Sequence, residues 1–152
     1  MKLQVVIGGY MGQPVTIGCV IDDDTGVLSV AKVFDHSEKR MEGFAVVSNM
    51  DLPDCDFLFT DKHLRDAIRS YFARVGQDMV GIAQQLARFD PTNRIEKDAV
   101  DETGPRYRIS PDIDNGQVAV LAAVAFAESQ RPVNAALSAM QDLNDFYSVT
   151  TI

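Results

Sequence analysis

The sequence predicts an α+β fold: an antiparallel, four- or five-stranded N-terminal sheet covered by one long amphipathic helix, with two further helices toward the C-terminus. Three observations carry this. Residues 1 to 60 break into short runs rich in β-branched residues, separated by glycine- and aspartate-rich turns. From Thr60 to Asp90, residues Leu64, Ala67, Ile68, Tyr71, Phe72, Val75, Met79, Ile82, Ala83, Leu86 and Phe89 recur at helical spacing. Beyond residue 117, alanine becomes dense, which favours helix.

In chain order, Leu3 to Ile7 is the first strand, ended by Gly8 and Gly9. Val15 to Ile21 alternates Val15, Ile17, Cys19 and Ile21 with Thr16, Gly18 and Val20, as a half-buried strand does. Asp22-Asp23-Asp24-Thr25-Gly26 supplies a hairpin turn, and Val27 to Phe34 returns. Asp35 to Gly43 is a charged loop, Phe44 to Ser48 a fourth strand, and Phe57-Leu58-Phe59 a short apolar run before the helix. Thr60 is its N-cap and Asp61 suits the positive helix end. Gly76 and Gly81 cost about 1 kcal/mol each within a helix, but the apolar stripe keeps its phase through both, so one kinked helix is expected.

Residues 91 to 116 show no apolar period and, counted with Asp90, hold seven acids alongside Arg94, Lys97, Arg106 and Arg108. They read as a mobile loop and a place for partner contact, anchored by Tyr107 and Ile109, which alternate with Arg106 and Arg108 as an edge strand would. The alternative pairs Arg106 to Ile113 as a strand with Gln117 to Val124. The segment 118 to 129 is apolar nearly all round and is expected to be a helix buried on several sides, within the domain or against a second copy. Pro132 opens a last helix with Val133, Ala136, Leu137, Met140, Leu143 and Tyr147 on one stripe.

The chain has 152 residues, enough for one domain with its own core, and 46% hydrophobic residues with 24% charged ones rule out a disordered composition. Its net charge of −8 disfavours binding to nucleic acid or to anionic membrane. Cys19 and Cys55 match no metal-ligand spacing, and the N-terminus lacks the charged start and apolar core of a signal peptide. Val118 to Ala127 is too short to span a bilayer. A soluble protein of the cytoplasm is the expectation.

No complete site emerges. Gly8-Gly9-Tyr10-Met11-Gly12 follows a strand as a phosphate loop would, but Pro14 and a second strand follow in place of a helix. Asp112-Ile113-Asp114-Asn115-Gly116 starts like a calcium loop, yet Ala123 stands where the bidentate glutamate belongs, so no metal and no cofactor are expected. For an enzyme, a hydrolase or transferase, the weak candidates are His63, Cys55 and Asp54 near the start of the helix, which lack a local nucleophile signature. For binding, Lys62, Arg65 and Arg69 place positive charge on the helix, with Arg65 and Arg69 one turn apart as a grip on a carboxylate or phosphate. Val80 falls on the polar side of the helix and suggests a second contact surface, with Tyr107 a further contact.

The leading expectation is therefore a non-enzymatic binding or regulatory protein that acts through protein contacts and self-associates as a symmetric dimer through the C-terminal helices. A small enzyme and an acidic mimic of nucleic acid, built from the aspartates at 22 to 24, 51 to 56 and 98 to 102, are the alternatives.

Overall fold

A computed structural model describes residues 1–35 and 39–130. Six strands form one sheet: β1 (Lys2–Ile7), β2 (Val15–Ile21), β3 (Leu28–Phe34), β4 (Phe44–Ser48), β5 (Phe57–Leu58) and β6 (Val80–Ile82), in the order β5-β4-β1-β2-β3-β6. The first three make the antiparallel meander that the turn residues predict. Asp22 sets the second turn, its carboxylate accepting the Asp24 and Thr25 N–H groups, and these bonds hold it below the usual carboxylate range.

The sheet is not antiparallel throughout. β4 joins β1, β5 joins β4 and β6 joins β3 in parallel, which makes the sheet mixed and six-stranded. The reason lies in two crossovers. β1 and β2 stand between β3 and β4 in the sheet, and residues 39–41 are held to Gln4, whose amide donates to Lys39 O and accepts from Met41 N–H. The chain then returns from the β5 edge to the β6 edge by way of helix α1 (Asp61–Gly76).

The long helix of the sequence reading ends at Gly76, not at Asp90. Gln77 donates to Ala73 O and Arg74 O, and Asp78 takes a left-handed φ of 55° that turns the chain back toward the sheet. Val80 and Ile82 then pair with Leu28 and Val30 along the open edge of β3. A period of two, not 3.6, governs these residues. Val80, out of phase with the helical stripe, is in phase with this strand, so the helical face on which it was to make a contact does not exist. Residues Gln84–Phe89 follow as a 3-10 turn that buries Leu86 and Phe89, three positions apart.

Residues 91 to 116 are likewise not a loop. They form a separate two-stranded sheet, β7 (Ile95–Asp101) against β8 (Gly104–Ile109), antiparallel, with Glu96 opposite Arg108 and Lys97 opposite Tyr107. The strand seen in the sequence around Tyr107 and Ile109 is real. Its partner is 95–101, a stretch without apolar alternation, and residues 117–124 are helical, not a strand.

Helix α2, residues 115–130, runs through the middle of the domain. Every residue from Val118 to Val124 is 0% exposed and belongs to one buried cluster with Leu3, Val5, Ile7, Ile17 and Val30 of the sheet and Ala67, Ile68 and Tyr71 of α1. Its start is fixed reciprocally. Asp114 accepts the Gln117 N–H at 2.8 Å, and the Gln117 side chain accepts the Asp114 N–H at 3.0 Å, a capping box. Asn115 ties it to the first hairpin loop: its Oδ1 accepts from Tyr10 N–H, and its Nδ2 donates to Gly12 O and Gln13 O. Gly116 is required here, because a Cβ would stand 2.2 Å from the buried Phe89 ring. The last predicted helix, 132 to 147, lies outside the described residues.

Candidate functional site

The sequence offered two groups of residues, one for chemistry and one for contact. Of those for chemistry, His63 and Cys55 are engaged by nearby backbone. The His63 Nδ1 lies 3.0 Å from the Thr60 nitrogen and accepts its N–H, which requires the proton on Nε2. The ring also packs on Phe57 at 4.8 Å and Phe59 at 6.0 Å between centroids. His63 therefore closes the start of α1, in the position that a glutamate fills in a capping box. The Cys55 thiol donates to Phe57 O at 3.1 Å. The polar contacts of Cys55 and His63 thus run to different backbone groups. Asp54 is exposed on the loop before β5 and borders another depression, with Lys39, Arg40 and Leu52. Cys19 is buried, and burial pushes its thiol up to about 12, which leaves it an inert core residue.

The aspartate-rich turns lie apart. Asp22, Asp23 and Asp24 sit at the end of the sheet where β1 begins, with Asp23 3.2 Å from the Met1 amino group. The 51–56 loop lies instead along the β4–β5 edge, where the Asp56 N–H donates to Val46 O, opposite the middle of β1. Within it, Asp56 is bound by Arg40 at 2.6 Å and by Val46 N–H. Asp114 serves the α2 cap, and Asp112 accepts from the Ser110 hydroxyl and faces Arg94 at 3.4 Å. Among the described residues, no three His, Cys, Asp or Glu side chains gather as metal ligands do.

Of the contact residues, Arg65, Arg69 and Tyr107 come together at the hairpin. Arg65 and Arg69 both reach from α1 to the β7–β8 hairpin: Arg65 Nη2 donates to the Thr103 hydroxyl at 2.6 Å, and Arg69 donates through Nε and Nη2 to Pro105 O at 3.3 and 2.8 Å. The two arginines, one turn apart, reach the same hairpin, where they donate to two different oxygens of the chain itself. Tyr107 packs on Phe72 with ring centroids 5.4 Å apart. Lys62 is exposed on the first turn of α1, and Val80 is half buried at the sheet edge. Between α1 and β8 lies a cleft of about 380 Å³, lined by Leu64, Arg65 and Ile68 on one side and Asp98, Arg106 and Arg108 on the other.

One arrangement escaped the sequence reading. Glu96 and Arg108 stand opposite each other across the hairpin and pair at 2.7 Å, while Arg106 lies two residues before Arg108, and Asp98 adds its field to that of Glu96 in raising Arg108 above its ordinary value. All four side chains are exposed. The hairpin thus carries an acidic row on β7 and a basic row on β8. The signal was present as Glu96-x-Asp98 and Arg106-x-Arg108, but it has meaning only once the two strands are known to pair.

No family model, curated protein or solved structure matches this chain. No described helix is long and apolar enough to cross a membrane.

Proposed function

We propose that the chain is a non-enzymatic binding protein whose contact surface is the β7–β8 hairpin and whose partner is a second copy of itself. The observation that carries the reading is the pair of charged rows. A two-fold axis parallel to the strands, between two facing hairpins, lays the acidic row of each copy over the basic row of the other, so the surface is self-complementary. The all-round apolar segment that first suggested dimerisation through the C-terminal helices is covered within a single chain from Val118 to Val124, which moves the expected contact to the hairpin.

Mass by light scattering tests this. Wild type is expected to be a dimer at micromolar concentration, while R106E/R108E and E96K/D98K are each expected to be monomers. An equal mixture of the two variants restores complementary rows and should return the mass of a dimer. A monomeric wild type across that range, or a mixture that stays monomeric, would remove the proposal.

A further inference from the structure

We infer that the β7–β8 hairpin is a strap that detaches from α1 as a unit while the six-stranded sheet stays intact, uncovering the Ile68 and Phe72 side of the helix. The inference concerns contacts within one chain and does not depend on self-association. Two-stranded hairpins are marginal by themselves in water, so this one owes its order to what it docks against. Its strands pair with each other and with none of the other six. At its tip the docking is by side chain: Arg65 to the Thr103 hydroxyl, and Arg69 to Pro105 O, packed so close that a Cβ on Gly104 would meet Arg69 Nη2 at 3.3 Å. Midway, Tyr107 covers Phe72.

At its base the two strands are joined by the Ser110 N–H to Arg94 O bond, and the 3-10 turn Thr92–Arg94 and Pro111 flank them, which gives the hairpin a short root to turn on. Undocking therefore breaks a few charged hydrogen bonds at the tip and lifts Ile95, Tyr107 and Ile109, each only partly buried, off the edge of the core. Opening the sheet, by contrast, exposes Leu3, Val5, Ile17 and Val30, each at most 1% exposed. The two events have very different costs, and the cheaper one uncovers apolar surface on a helix.

Backbone amide exchange tests this with the full chain kept dilute enough to be monomeric by its measured mass. Amides in the β7–β8 ladder are expected to exchange at least about tenfold faster than those of the β1–β2 ladder, with little dependence on low urea concentrations. Arg69→Ala should speed exchange in the hairpin by a further factor of about ten, the scale of a lost charged hydrogen bond, and leave β1 and β2 unchanged. Thr103→Ala, at an exposed position, provides the same comparison for Arg65 should Arg69→Ala fold poorly. A common rate for both ladders in the wild type, or variants that speed both ladders equally, would overturn the inference.

Discussion

Leu121→Ala is expected to lower the unfolding free energy by about 2–5 kcal/mol, the range for a leucine deleted from a packed core. Leu121 is 0% exposed, and its neighbours Val120 and Ala122 are equally covered, so the lost methyl groups leave a cavity that one helix cannot close by shifting sideways. Urea unfolding monitored by circular dichroism gives the value. The same burial on every side makes a stronger statement about α2. A helix that kept one face for a second copy would tolerate aspartate on that face, whereas Ala119→Asp, Val120→Asp and Ala122→Asp are each expected to abolish folding of the isolated chain. A single tolerant position among the three would show that the helix is not enclosed.

Arg74→Ala is the second large effect, at about 3 kcal/mol. Arg74 is only 2% exposed, yet its guanidinium is well supplied: Nε donates to Glu128 at 2.9 Å, and Nη1 to Gly26 O at 2.9 Å and Met79 O at 3.4 Å. It joins α1 to α2, to the β2–β3 turn and to the start of β6. Glu128 keeps 28% of its side chain in water, which places the loss at the lower end of the range for breaking a buried pair. Alanine also leaves two backbone carbonyls without this donor. Lysine cannot serve these acceptors together, since it lacks the fork of the guanidinium, so Arg74→Lys is expected to recover less than half the stability. Equal stability of the lysine variant and the wild type would show that charge alone, not the shared geometry, holds these elements.

Much of the first half of the fold was legible because its rules are local. Alternation in Val15 to Ile21, the Asp22 turn and the run Phe44 to Ser48 are properties of neighbouring residues, and the strands lie where those patterns place them. The Thr60 cap and the start of α1 belong to the same class. The parallel additions were not legible, because whether β4 lies beside β3 or beside β1 depends on crossovers whose ends are far apart in sequence.

The end of α1 shows how a period can mislead. Met79, Ile82, Ala83, Leu86 and Phe89 continue the helical phase, but they do so as a strand followed by a 3-10 turn. Gly76, Asp78 and the misplaced Val80 were the competing signals, and turn chemistry outweighed the continued stripe. In the 91 to 116 region, low apolar content points to a mobile loop. There the strands pair through backbone and cross-strand charges instead, as Glu96 and Arg108 do. Arg65 and Arg69 were legible as a grip, but their acceptor was not, since a backbone carbonyl such as that of Pro105 leaves no mark in a sequence. The burial of Arg74 left no mark in the sequence, and only the placement of Glu128 on α2 accounts for it.

One chain closes its own core around α2, and the proposed pairing between copies lies on the hairpin outside that core. Urea unfolding of R106E/R108E at two protein concentrations about a hundredfold apart tests it most directly, because a core completed by a second copy must gain stability with concentration. Coincident midpoints are the predicted result. A midpoint that rises with concentration would contradict the account, since it would place part of the core between chains.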